Sequence, residues 1–418
     1  MKRGLKALAG RFVWAGGIED TFIPQERPGL RSLEEYALTQ HYEQWREDLK
    51  RAKSLGISML RWGVPWYRVE PSKGVFDWRW VDEVLAFMVN ELGIKPIIDL
   101  VHYGTPDWMT LSFADPDYAR HVCQYAQAFA KRYRHLVTYY TPLNEPTVNA
   151  DFAARRGEWP PYLTGDEGYT RVLLNIARGI QETVRAISAV HPEAVFVAVE
   201  AMHLSRAQSY KAKRAARLAF HHDLLCWDLV KGSVNSRHPL WKWLLANNAD
   251  REALRILRRR AVQQDVLGVN FYPWSGQEFA VDEQGQAKNV NNKVSGSQIA
   301  DMLRSVSAYT GAPLMVTETS SPGDIDVRRR WMRDTISGVT RVRNEGIPVL
   351  GYTWFPLFTM IGWEYRTSNE PIEKHLLHLG LWDCEFDSQG VLVRKETELA
   401  KVYRGFARRG FRAPAFSR

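Results

Sequence analysis

Eight short apolar runs, rich in β-branched and aromatic residues, recur along these 418 residues with longer amphipathic stretches between them, and that alternation most limits the fold. The runs are FVWAGG (12–17), SMLRWGV (58–64), KPIIDLV (95–101), LVTYYTPL (136–143), AVFVAVE (194–200), DVLGVNF (265–271), PLMVTET (313–319) and PVLGYTW (348–354). Helical patterning fills 34–55, 78–92, 116–135, 169–190, 206–231, 297–310, 324–345 and 396–409. Strands that alternate with helices predict a parallel sheet with crossover helices. Runs apolar throughout suit strands covered on both faces. Eight such units predict one α/β domain over residues 1–418, a (β/α)8 barrel. The polar segment DEQGQAKNVNNKVSGS (282–297), after the sixth strand, reads as a loop over the barrel mouth.

In such barrels the active site lies at the C-terminal ends of the strands, so polar residues there have functional weight. After strand four the chain reads TPLNEPT (141–147), leaving Asn144 and Glu145 where the strand leaves the core, with Pro146 blocking helical continuation at Glu145. A carboxylate there is costly to desolvate unless paired or hydrogen-bonded. A second carboxylate, Glu318, closes strand seven, and Arg61, His102, Asn270 and Tyr272 follow strands two, three and six. A ring of polar side chains at one mouth is poorly explained as chance solvation.

Composition narrows the chemistry. The chain has 16 Trp, 17 Tyr and 17 Phe, whose flat faces suit sugar rings or bases. The net charge of +9 comes with arginine clusters at 251–260, 328–333 and 408–418. Each lies on a predicted helix face or terminus with no nucleic-acid motif beside it, so solvated surface explains them better than a nucleic-acid site. Cys123, Cys226 and Cys384 make no disulfide framework and suit a reducing compartment. The N-terminus lacks the apolar core of a signal peptide. The longest uncharged run, 347–363, is short for a membrane span and holds two prolines and two glycines. Together these features predict a cytoplasmic protein without membrane or nucleic-acid partners.

Walker, dinucleotide-binding and His-Glu-x-x-His motifs are absent, so neither cofactor nor metal is expected. His222 and Cys226 stand one helical turn apart without a third ligand and read as packing. Trp78 and Trp80 read as structural. Trp159, in GEWPPYL (157–163), either lines the site or anchors a loop.

These motifs, in this order, resemble the family-one β-glycosidases, retaining enzymes on a (β/α)8 barrel. The similarity runs from FVWAGG to LGLWDCEFDSQG (379–390). TPLNEP is similar to the family's Thr-x-Asn-Glu-Pro motif, which makes Glu145 the acid/base and puts Asn144 near the sugar 2-hydroxyl. VTET (316–319) resembles the nucleophile motif through Glu318, with Thr319-Ser320 where the family has Asn-Gly. The resemblance further implies Arg61 beside the nucleophile, His102 and Asn270 on the sugar, Tyr272 near Glu318, and Trp354 as a platform under the reacting ring. Tyr103 stands where the family has Trp. Two departures concern sugar recognition. GGIEDTFIP (16–24) offers Glu19, Asp20 or Phe22 in place of a glutamine, and FTMIGWEYR (358–366) stands for Phe-Glu-Trp, with Trp363 the shifted counterpart.

The resemblance implies hydrolysis of small β-glycosides or oligosaccharides by double displacement. In that chemistry one carboxyl protonates the leaving oxygen and another attacks the anomeric carbon. Arg61 and Tyr272 are expected to keep Glu318 ionised, while burial and the charge of Glu318 keep Glu145 protonated. The altered sugar-gripping residues keep a second expectation open, a catalytically weak sugar-binding or transglycosylating relative.

Overall fold

Eight parallel strands close into a barrel in chain order, the last pairing with the first. They are β1 (Val13–Gly17), β2 (Met59–Gly63), β3 (Lys95–Asp99), β4 (Tyr139–Thr141), β5 (Val195–Ala201), β6 (Val266–Asn270), β7 (Leu314–Glu318) and β8 (Val349–Trp354). The computed structural model describes residues 1–409; the remainder of the arginine-rich tail lies outside the described residues. Helices α1 (His41–Ser54), α2 (Arg79–Ala86), α3 (Tyr118–Tyr133), α4 (Gly165–Val190), α5 (Lys213–Asp223), α6 (Ile299–Thr310), α7 (Ile325–Asn344) and α8 (Glu398–Arg409) follow the strands in turn. The expected α/β barrel is the fold observed.

Side chains alternate across each strand, which divides the apolar residues into two layers. Ala15, Met59, Ile97, Tyr139, Val197 and Met315 come from six different strands yet pack together, so they fill the barrel interior. Their neighbours Trp14, Leu60, Ile98, Tyr140, Phe196 and Val316 face outward into the helices. A helix not anticipated from the sequence, Arg3–Gly10, stoppers the interior, with Leu8 buried against that inner cluster. Tyr139 Oη donates to the Gly4 carbonyl at 3.2 Å, holding the helix against the barrel.

Several boundaries differ from expectation for local reasons. The 34–55 helix breaks at Gln40, which adopts φ 56° before α1 begins. The 206–231 segment holds a strand, Leu204–Ala207, and then two helices, α5 and Leu225–Val230. The 282–297 segment is not simply a loop, because Ala287–Asn291 pairs antiparallel with Gly276–Val281, which pairs with Leu204–Ala207. Pro146 does not exclude a helix after strand four. It occupies the first turn of the helix Pro146–Ala154, where its missing N–H is harmless. The turn is made instead by Glu145, in the left-handed conformation at φ 43°.

Candidate active site

The inward positions that are apolar at the bottom of the barrel become polar at the top. On β2 the inward residues run Met59, Arg61, Gly63; on β3 Ile97, Asp99; on β6 Val266, Gly268, Asn270. Glu318 would face outward by simple alternation from Val316. A register shift against β6 between these two residues carries it to the mouth. Gly63 matters for space, since a Cβ there would lie 2.1 Å from Asp20 Oδ2.

Arg61 is fully buried and organises the floor. Its Nη1 donates to Glu318 Oε1 at 2.6 Å and to the Thr317 carbonyl at 3.2 Å. Its Nη2 donates to Asp99 and, at 3.0 Å, to Asn144 Oδ1. Burial opposes the guanidinium charge, but Asp99, Glu318 and Asp20 outweigh it and raise its pKa further, so Arg61 stays cationic. Tyr272 Oη donates to the other oxygen of Glu318 at 2.7 Å. The Glu318 carboxylate therefore has a cation on one oxygen and a phenol on the other.

Glu145 has no such cation. Asn270 Nδ2 donates to its Oε1 at 2.7 Å and Tyr103 Oη to its Oε2 at 2.6 Å. Burial and then the charge of Glu318 push its pKa up to about 7, against the pull of these two bonds. Two carboxyls with opposed environments stand at one mouth, one suited to be a base or nucleophile and one to hold a proton.

His102 Nδ1 lies 2.8 Å from Asp20 Oδ1 and 3.4 Å from Asp99 Oδ2. Burial disfavours the imidazolium, but these carboxylates outweigh burial and raise its pKa well above the usual value. Its Nε2 meets the Asn144 amide nitrogen at 3.0 Å. Asp20 is pushed up to about 7 by burial, opposed by His102.

Glu145, Glu318, His102, Asn270, Tyr272, Glu19 and Trp363 line one cavity of about 480 Å3. Arg61 and Asn144 lie beneath it, both fully buried. The Asn144 amide is occupied within the protein by Arg61, His102 and Tyr103 Oη. Of the alternatives Glu19, Asp20 and Phe22, Glu19 faces the cavity, Asp20 backs His102, and Phe22 packs on Tyr36. Trp363 brings a buried, unpartnered Nε1–H to the wall. The adjacent Glu364 pairs with His375 instead.

Trp354, expected beneath the sugar, is not brought to the cavity. Its ring faces outward into the helix layer, fully buried, with Nε1 donating to the Leu379 carbonyl at 3.0 Å. The next residue, Phe355, turns in: its ring stacks on His102 at 6.3 Å and lies 5.2 Å from the Arg61 guanidinium. A one-residue change along a strand changes the face. Trp159 is an anchor behind the wall, stacked on Phe152 at 4.4 Å.

The sequence left Tyr103 without a role, although its hydroxyl links Glu145 to Asn144. His203, two residues past β5, and Trp274, two residues past Tyr272, also line the cavity and were not anticipated. Among the described residues two groups have metal-ligand composition. In Asp20–Asp99–His102 the cationic place is already taken by Arg61. His221–Asp228–His238 closes on itself, with His238 Nε2 3.1 Å from Asp228 and Tyr309 Oη donating to that carboxylate at 2.7 Å. His222 is not part of it and packs on Trp243.

A pair of carboxyls in opposed environments at the C-terminal mouth of a barrel is an arrangement suited to cleaving a glycosidic bond. The sequence profile of glycosyl hydrolase family 1 matches residues 16–273, and the chain belongs to that family and is a glycoside hydrolase. It is 24% identical over 413 residues to a bifunctional β-D-glucosidase/β-D-fucosidase of Bifidobacterium breve, covering 83% of this chain and 84% of that one. It is 28% identical over 130 residues to β-glucosidase 47 of Arabidopsis thaliana, covering 29% of this chain and 24% of that one. A β-glucosidase from Thermotoga maritima in complex with deoxynojirimycin has the same fold, with a TM-score of 0.82 over 95% of this chain and 97% of that one, at 16% identity. Among the described residues no helix is long and apolar enough to cross a membrane.

Proposed function

We propose that this chain hydrolyses small β-glycosides with retention of configuration, with Glu318 as nucleophile and Glu145 as acid/base. The observation that supports it is the split environment of the two carboxyls: Arg61 at 2.6 Å and Tyr272 at 2.7 Å donate to the two oxygens of Glu318, while burial and the charge of Glu318 raise Glu145 to about 7. In the first step a Glu318 oxygen bonds to the anomeric carbon. The bond to the leaving oxygen breaks, and that oxygen takes the Glu145 proton. The ester removes the charge of Glu318, so Glu145 becomes a stronger acid and its carboxylate serves as the base. Water then attacks the anomeric carbon, gives its proton to Glu145, and releases Glu318 as a carboxylate.

Proton NMR of the first-formed sugar from an aryl β-glycoside tests the stereochemistry. The β-anomer must appear before mutarotation, and first appearance of the α-anomer refutes retention. A 2-deoxy-2-fluoro glycoside with a good leaving group should add one fluoroglycosyl unit to the peptide that holds Glu318.

A further inference from the structure

We propose that the sugar held in this cavity carries a basic amine, and that Glu19 binds it as an ammonium ion. The inference rests on the glycosidase reading and narrows it to a substrate class.

Six carboxyls stand in or directly behind the cavity wall: Glu19, Asp20, Glu35, Asp99, Glu145 and Glu318. Arg61 is shared by Glu318 and Asp99, and His102 by Asp20 and Asp99, so the two supply at most two positive charges. The other basic side chains on the wall have their own carboxylates, His203 with Asp223 at 3.0 Å and Arg156 with Asp151 at 2.6 Å. With Glu145, Asp20 and Glu35, all raised by burial, in their acid forms, Glu19, Asp99 and Glu318 still face at most two cations. Glu19 and Glu35 have no ion pair among the described residues.

Of these two, Glu19 faces the cavity, although its residue surface is only 7% exposed. Its Oε1 accepts the Thr21 N–H at 3.2 Å and the Thr21 hydroxyl at 2.7 Å. Its Oε2 accepts no hydrogen bond among the described residues. Glu35 lies fully buried behind it, with Oε2 accepting the Ile361 N–H at 3.1 Å and Oε1 unpartnered. Burial raises both carboxyls, and the charge of Glu19 raises Glu35 further. A carboxylate so placed is stabilised by a cation far more than by a neutral hydroxyl. An ammonium offers three donors and no acceptor, which matches a wall of carboxylate oxygens. It also supplies a positive charge paired with Glu19 alone, whereas His102, the cation whose field reaches Glu19, is shared with Asp20 and Asp99.

Isothermal titration calorimetry of methyl β-glucoside and its 2-, 3-, 4- and 6-amino-deoxy analogues tests this without requiring turnover. At least one amino analogue should bind about tenfold tighter than the glucoside, the scale of one charge-assisted hydrogen bond, and Glu19→Gln should remove that ratio. The inference is overturned if the neutral glucoside binds as tightly as every amino analogue, or if the advantage survives Glu19→Gln. Tight amine binding with no cleavage of any glycoside would overturn the glycosidase reading and leave this one standing. Cleavage of neutral glycosides with no amine preference would overturn this inference alone.

Discussion

Tyr103→Phe isolates the contact that sets the acid. In the structure the Tyr103 hydroxyl donates to Glu145 Oε2 at 2.6 Å and accepts from Asn144 Nδ2 at 2.7 Å. The bond favours the ionised carboxylate, so it lowers the Glu145 pKa, which burial and Glu318 have pushed up to about 7. Deleting the hydroxyl must therefore move that pKa up. A hydrogen bond to a charged group is worth about 1.5–3 kcal/mol. The protonated acid retains part of that interaction in the wild type, so the differential is taken as about 1.4 kcal/mol, or about one pH unit. Because kcat/KM requires Glu145 protonated, its alkaline limb reports the free-enzyme acid. It should fall through a midpoint near 7 in the wild type and about one unit higher in Tyr103→Phe. The assay is kcat/KM for one aryl β-glycoside from acid to alkaline pH, with folding checked by circular dichroism. A limb that stays in place, or moves to lower pH, refutes the assignment of Tyr103 and of Glu145 as the titrating acid.

Glu145→Ala should slow the glycosylation step about 10²–10⁴-fold for alkyl glycosides and far less for aryl glycosides whose anion leaves unaided; equal losses in pre-steady-state rates would exclude Glu145 as the acid. Arg61→Met strands Asp99 and Glu318 without their shared cation. It should lower unfolding stability by about 3–5 kcal/mol in denaturant titration, and no loss would contradict the buried pairing. Trp354→Ala should destabilise by about 3–5 kcal/mol while leaving KM for an aryl glycoside little changed, because the ring faces the helices. A rise in KM with stability intact would put that ring under the sugar. Leu8→Ala should cost about 2–5 kcal/mol by opening a cavity under the barrel, visible as a lower Tm.

The alternation of eight apolar runs with eight amphipathic stretches determined the barrel, because such strands satisfy their backbones in a parallel sheet and bury both faces only under helices. The same alternation located Glu145 and Glu318, since the strand ends are where side chains leave the core for the mouth. Strand-end position and the resemblance of the motifs also carried Arg61, His102, Asn270 and Tyr272 to that mouth. The face each side chain takes was decided by tertiary register. The shift between Val316 and Glu318 turned the carboxylate toward the mouth, and the strand face sent Trp354 out and Phe355 in. The sequence offered Glu19, Asp20 and Phe22 as alternatives; packing put Asp20 against Gly63 and His102, leaving Glu19 in the cavity. Tyr103 gained its role only because β3 and β4 are neighbours, which brings its hydroxyl to Glu145, 42 residues away in sequence. Strand order follows from local pattern. Hydrogen-bond partners across the mouth depend on ångström-scale distances that only the closed barrel fixes.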